Sequence, residues 1–192
     1  MRSVLVAMML GLAACQPAVE TPEVAPDPAS DQPLMQARPV VFEAMSSTAQ
    51  AFTGAITLTA EARTSADALP AMKLGGANGL ALLTELVPGG AEQAAGVDWS
   101  VLFGQEVVVT GNPAPGAPSV DVHRIVREDV PTTASNGGYC GQTPTRFIAM
   151  ATGLEVQGQP FMSIAAFRGD VWPPVDETDL CGVFNYAPPA PL

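Results

Sequence analysis

From residue 39 onward, short runs of alternating apolar and polar residues recur along the chain, and this period of two predicts β-strands. The clearest run covers residues 52–60, where Phe52, Ile56 and Leu58 alternate with threonines. Further strands are predicted at residues 40–45, 80–87, 105–110, 119–127, 146–152, 161–168 and 181–186. Turn-forming glycines and prolines separate these runs, and a single helical turn is expected at residues 91–95.

In the run at residues 119–127, the alternation assigns one side of the strand to the core and the other to water. It predicts that Val120, Val122 and Val126 point inward, with Arg124 on the same side. Asp121, His123 and Arg127 are expected to face water.

About eight short strands without a long amphipathic helix predict an all-β fold, a small antiparallel barrel or a sandwich. Residues 102–112 with residues 120–125 resemble a hairpin that is common in OB-folds. The sequence Leu102-Phe103-Gly104-Gln105-Glu106-Val107-Val108-Val109-Thr110-Gly111 carries that resemblance. It implies an OB-like hairpin in which a strand at residues 105–110 leads into an antiparallel return strand.

The first residues have the pattern of an export signal. Arg2 is followed by an apolar run at residues 4–14 that is too short to span a bilayer. The run ends in Leu12-Ala13-Ala14-Cys15, which resembles a bacterial lipobox. The resemblance implies that residues 1–14 are a lipoprotein signal peptide and that Cys15 is acylated after cleavage. The alternative is an ordinary secretory signal with an incidental cysteine.

Two further features bear on where the protein is held. Residues 15–38 carry five prolines and four carboxylates, which predicts an extended acidic tether after the lipidated cysteine. In enterobacterial lipoproteins an aspartate after the lipidated cysteine marks the inner membrane. Gln16 occupies that position here, so the resemblance favours the outer membrane over the inner membrane. Residues 39–192 are expected to form a single β-rich domain.

Composition and charge narrow the classes of partner. The 192 residues include 47% hydrophobic and only 14% charged residues, with a net charge of -11. A nucleic-acid partner is excluded because the chain lacks the basic density that displaces counterions from phosphate. The acidic residues Asp176, Glu177 and Asp179 could hold Ca²⁺ weakly, but they lack the regular spacing of a calcium loop. We therefore predict a solvated loop there, no metal site and no cofactor.

Cys140 and Cys181 remain once Cys15 is assigned to lipid. In an exported protein an even pair of cysteines predicts a disulfide. The alternative is two free buried thiols.

His123 is the only histidine, and Asp121 lies two residues before it on the same predicted strand face. A hydrolytic site would also need a nucleophile motif such as Gly-x-Ser-x-Gly, which the sequence lacks. We therefore interpret His123 as an exposed strand residue and predict no catalytic residues.

Trp172, Pro173 and Pro174 form the candidate binding segment. The two prolines hold the chain extended, and an aromatic side chain on a rigid loop is a common recognition device. The alternative is that Trp172 folds back to cap one end of the barrel. Trp99 presents the same two alternatives, with core packing favoured.

The sequence thus predicts a membrane-anchored envelope lipoprotein that acts by binding or structural association rather than as an enzyme. Its partners would be the membrane, through Cys15, and an envelope or cell-wall component. The C-terminal half contains Gly138-Tyr139-Cys140-Gly141, Ala165-Ala166-Phe167-Arg168-Gly169 and Leu180-Cys181-Gly182-Val183-Phe184-Asn185-Tyr186. With these segments it is similar to lipoproteins of alphaproteobacteria, a resemblance that implies no activity. An inhibitor of a cell-wall hydrolase, similar in outline to lysozyme-inhibitor lipoproteins, is the alternative, and a hydrolase is the third candidate.

Overall fold

The computed structural model describes residues 38–62, 65, 67–109, 114–174 and 177–188. Cys15, the predicted signal peptide at residues 1–14 and all but the last residue of the predicted tether lie outside the described residues. Eight strands are observed: β1 Val40–Ala44, β2 Ile56–Glu61, β3 Ala71–Gly76, β4 Ala81–Leu86, β5 Ser119–Asp129, β6 Phe147–Val156, β7 Gln159–Phe167 and β8 Leu180–Ala187. The helices are α1 Ser47–Phe52, α2 Gly90–Gln93, α3 Trp99–Phe103 and a 3₁₀ turn at Glu177–Asp179.

Each strand pairs antiparallel with the next one along the chain, and β8 pairs with β1 to close the ring. The predicted all-β class is confirmed, and of the two architectures considered the barrel is the observed one. None of the helices within the described ranges has the length and apolar character needed to cross a bilayer.

The barrel interior is filled by side chains from all eight strands. Its largest fully buried strand residues are Ile56, Leu74, Leu82, Ile148, Ile164, Phe184 and Tyr186. An eight-stranded barrel is just wide enough for such side chains to meet at the axis. Tyr139 packs edge-on against Phe184 with ring centroids 4.8 Å apart, so the connection between β5 and β6 also contributes to this core.

A second core lies on the outer face of β5 to β8. Residues 87–109, which include α2 and α3 and are called the covering segment below, cover this wall together with Trp172. The covering explains why β6 begins with five consecutive buried residues instead of an alternating pattern. Small side chains at Ala149, Ala151 and Ala165 let the covering segment approach closely. At Gly90 a Cβ atom would lie 2.7 Å from Cβ of Val122, so only glycine fits there.

Several predicted strands occur close to their expected positions, but three local predictions are wrong. The strand expected at residues 52–60 begins only at Ile56, because Phe52 ends α1 and Gly54 adopts a positive φ of 64°. Strand β3 was not predicted, since its sequence ends in two glycines and shows little alternation.

The OB-like hairpin is the second of these errors. Residues 99–103, which precede the expected strand, form α3, capped at its end by Gly104 with φ 72°. Val108 makes one isolated parallel bridge to Ser119, and residues 105–109 contain no strand. Val107 and Val109, the alternating apolar residues of this stretch, pack against the outer wall instead of belonging to a β-ladder.

The faces predicted for β5 are the third error. Leu83 pairs with Arg127 while Thr84 pairs with Ile125, so Val126 is an extra residue in a β-bulge and is exposed. Val122 is buried as predicted, but against the covering segment on the outer wall. His123 pairs with Ile148 of the inner core and is buried.

The predicted disulfide is confirmed. Cys140 and Cys181 are bonded, with Cα atoms 5.0 Å apart and a sequence separation of 41. Both cysteines pack against the inner core. The bond ties the connection between β5 and β6 to the beginning of β8.

Candidate functional site: an apolar groove on the outer wall

The short helix α3 is held in place by its first turn and by its aromatic residues. Asp98 precedes the helix, and its Oδ1 accepts hydrogen bonds from the Ser100 hydroxyl at 2.7 Å and the Val101 amide at 3.1 Å. These two bonds lower the pKa of Asp98, so its carboxylate is charged at neutral pH. Trp99 and Phe103 stack with ring centroids 5.9 Å apart and fix the inner side of the helix.

Trp172 packs against the same aromatic group from the connection between β7 and β8. Its ring centroid lies 5.3 Å from those of Phe147 and Phe167 and 6.4 Å from that of Trp99. Its indole Nε1 donates to the Gly90 carbonyl at 2.7 Å. Trp172 therefore joins α2, α3 and the barrel wall, and it lies on the side of the barrel rather than across one end.

An apolar groove of about 740 Å³ lies between α3 and residues 173–174. Its apolar lining includes Val97, Val101, Leu102, Phe167, Pro173 and Pro174. Val101 is 78% exposed, more than any other large hydrophobic residue among those described. Concave apolar surfaces of this size are typical of binding sites.

Charged residues of both signs lie near the groove, whereas the segment that covers the outer wall carries only carboxylates. Asp98 is the one charged residue among those that line it. Between Lys73 and Arg124, a stretch that includes the whole covering segment, the chain has five carboxylates and neither lysine nor arginine. Asp170 is ion-paired with Arg146, with 2.8 Å between Oδ1 and Nε. Arg168, which is exposed, directly follows the groove residue Phe167.

The candidate binding residues of the sequence thus divide into two groups. Pro173 and Pro174 line the groove, whereas Trp172 supports it from below through its contacts with Phe147 and Phe167. Val101 and Leu102 of α3 were not among the sequence-based candidates, and Trp99 is buried, in keeping with the core packing that the sequence favoured for it. The signal was present as Asp98-Trp99, an N-cap residue followed by an aromatic, but only the fold places it beside residues 173–174.

His123 was expected to be exposed, and that expectation is wrong. The side chain points into the barrel with 8% of its surface exposed. Its Nδ1 lies 3.2 Å from Oγ1 of Thr84, which is itself fully buried and also donates to the Met72 carbonyl. Burial lowers the pKa of His123, and the nearby charge of Asp121 opposes that shift in part. The neutral imidazole is therefore a polar member of the core.

The acidic residues before Cys181 do not assemble a metal site in the part of the chain that the structure describes. Asp176 lies outside that part, and Glu177–Asp179 forms the 3₁₀ turn. Across the described ranges, no three His, Cys, Asp or Glu side chains come together as ligands for an ion.

Comparison with models of known protein families, with curated proteins and with solved structures yields no match.

Proposed function

We propose that the chain is a lipid-anchored lipoprotein of the bacterial envelope, on the outer membrane, whose barrel acts by binding a partner at the outer-wall groove. The groove beside Val101 carries this proposal, because a highly exposed valine on an apolar concave surface indicates an interaction site. The barrel interior offers no comparable opening, since inner-core side chains fill it.

The geometry favours binding over catalysis. The chain's one histidine contacts a threonine that is buried and bonded to a backbone carbonyl. A nucleophile must meet its substrate, and a side chain fully enclosed in the barrel does not. The groove itself contributes hydrocarbon surface and one carboxylate, which suits recognition more than bond cleavage.

The binding part of the proposal is tested by a photocrosslinking amino acid placed at Val101 in the envelope of a bacterium that produces the protein. We expect a discrete crosslinked product. The same amino acid at Val156, which is 48% exposed and lies outside the groove, is the matched control. Equal crosslinking from both positions, or none from Val101, would reject the groove as the site.

The anchoring part is tested by metabolic labelling with palmitate. Cys15→Ser should abolish incorporation of the label because the acylated sulfur is lost, whereas Cys140→Ser should retain it. A Cys15→Ser protein that still carries the label contradicts the lipoprotein assignment.

Inhibition of a cell-wall hydrolase is the second candidate function. The acidic covering segment favours it, because many lysozymes are basic and opposite charges speed and select association. Titration of the protein into lysozyme at low and high salt tests this candidate. Inhibition that weakens with salt supports it, and unchanged enzyme activity at low salt excludes lysozyme as the target.

A further inference from the structure

The outer-wall groove is already assembled before any partner arrives. Trp172 packs edge-on against the groove residue Phe167, with ring centroids 5.3 Å apart, and the stacked pair Trp99–Phe103 holds α3. Pro173 and Pro174 restrict the opposite wall. A preorganised surface loses little conformational freedom on binding, so even a short partner segment can bind it with useful affinity.

The groove presents an apolar surface between two walls. Val101 projects from one wall, and Pro173 and Pro174 form the other. Apolar helices that lie in hydrophobic grooves place residues at intervals of three and four into such a surface.

Charge selects among the occupants of such a groove. Asp98 presents its ionised carboxylate in the lining, while Glu92 and Glu106 lie in the covering segment on either side of it along the chain. Residues 38–192 contain 15 acidic and 7 basic side chains, a net charge of -8. A second copy of this acidic chain and an anionic lipid surface would both be repelled, whereas a basic partner would be attracted.

We propose that the groove binds an amphipathic polypeptide segment that combines an apolar row with lysine or arginine residues. The apolar row would contact Val101, Leu102 and Phe167, and the basic residues would face Asp98. This inference rests on the proposed binding function and specifies the chemistry of the partner.

The probe is a fluorescent helical peptide of about 14 residues with a leucine face and a lysine face, roughly 21 Å long. The lipidated full-length protein is placed in phosphatidylcholine vesicles, and peptide that sediments with the vesicles is compared with protein-free vesicles. A matched peptide carries glutamate in place of lysine. We expect the lysine peptide to bind at least about tenfold more tightly than the glutamate peptide at low salt.

Two variants test the site and one variant controls for added charge. Val101→Glu should weaken binding of the lysine peptide about tenfold because the apolar contact is lost. Asp98→Asn keeps a residue that caps helices and removes the charge, so it should weaken binding about two- to fivefold at low salt and much less at high salt. Val156→Glu adds the same charge outside the groove and should leave the Kd within about twofold.

Equal affinity for the two peptides, or an unchanged Kd in Val101→Glu, would overturn the inference. Dimers of the protein that disappear in Val101→Glu would assign the groove to a second copy. Crosslinks from Val101 to phosphatidylglycerol would assign the groove to lipid. Either result would also overturn the inference. If the lysine peptide does not bind while the photocrosslinker at Val101 still captures a partner, the proposed function stands and only the partner's chemistry is wrong. If the peptide binds but no crosslink forms in the envelope, the proposed function fails instead.

Discussion

At the residue scale, Trp172 shows how one side chain supports both stability and the candidate site. Its ring contacts three other aromatic rings, and its indole nitrogen satisfies the Gly90 carbonyl. Pro173 and Pro174 directly follow it, so the position of the groove wall depends on how this ring is held.

We predict that Trp172→Ala lowers the free energy of unfolding by about 3 kcal/mol, because the variant leaves a cavity among aromatic rings. The neighbouring change Val171→Ala is the control. Val171 is 63% exposed, so its loss should alter stability by no more than about 0.5 kcal/mol. Denaturant melts of the two variants and the native protein, fitted with one common dependence of the free energy on denaturant concentration, measure both changes in the free energy of unfolding. A small effect of Trp172→Ala on the free energy of unfolding would mean that the ring does not stabilise the fold.

His123 makes stability depend on pH in a defined window. Burial places its pKa in the folded protein below the ordinary value of 6.5, so the unfolded chain binds more protons as pH falls. The stability that the neutral imidazole contributes is therefore present above pH 6.5 and is lost as pH falls below that value. Since the chain has one histidine, carboxylates begin to obscure this effect only below about pH 5.

We expect unfolding free energy to decline between pH 7 and about pH 5 in the native protein. In His123→Gln this decline should be largely absent, and the two curves should approach each other as pH falls. Denaturant melts across this pH range provide the measurement. A native curve that is flat, or that rises as pH falls, would contradict the buried neutral histidine.

At the scale of elements, α1 illustrates how a cap stops a strand from extending. Ser46 accepts hydrogen bonds from the Ala49 amide at 3.1 Å and from the Asn185 amide of β8 at 3.2 Å. One hydroxyl thus begins the helix and joins it to the closing strand of the barrel. The helix uses residues 47–52, which is why the following strand starts later than its alternation predicts.

Ser46→Ala should destabilise the protein by about 1–2 kcal/mol, since one helix cap and one link to β8 are lost together. Ser47→Ala is the matched comparison, because Ser47 is the exposed first residue of the helix and alanine favours helices. Thermal melts of both variants decide the point. Equal melting temperatures for the two would show that the cap contributes nothing.

Strands β6 and β7 differ from β1 because both faces are covered along part of their length. Five consecutive residues are buried at the beginning of β6 and six at the end of β7, whereas β1 has only exposed and half-buried positions. The side of the barrel that carries the groove is therefore the side with two hydrophobic cores.

At the scale of the whole molecule, the disulfide closes a loop that contains β6, β7 and the connection between β7 and β8. That connection includes the groove residues Pro173 and Pro174. In the chain-entropy model a loop of 41 residues is worth about 4 kcal/mol. The bond holds both ends of this unit near the inner core.

We therefore predict that Cys140→Ser together with Cys181→Ser lowers the free energy of unfolding by about 4 kcal/mol. Peptide mapping of the mature protein without reductant should recover the two cysteines in one linked fragment. Reduction of the native protein followed by a denaturant melt is the companion measurement. Two alkylatable thiols in the protein isolated from the envelope would contradict the disulfide in its cellular form.

The sequence by itself determined the class of fold and most of its strands, because alternation at a period of two is a local property of a half-buried strand. It also predicted the disulfide, since a pair of cysteines in a chain expected to be exported favours that bond over free thiols. Glycine and proline residues marked the positions of most connections between the strands. These features depend on neighbours in the chain, so they can be derived without knowledge of distant contacts.

Only the tertiary structure decided which face of each strand meets the core. A period of two identifies two faces, but closure of the barrel and the bulge at Val126 determine that His123 points inward and Val122 outward. The groove likewise combines α3 with a segment about seventy residues later, and Trp172 brings the two together by packing against Trp99 of α3. Such contacts arise from packing between segments that are remote in sequence, and for that reason no local pattern of residues contained them.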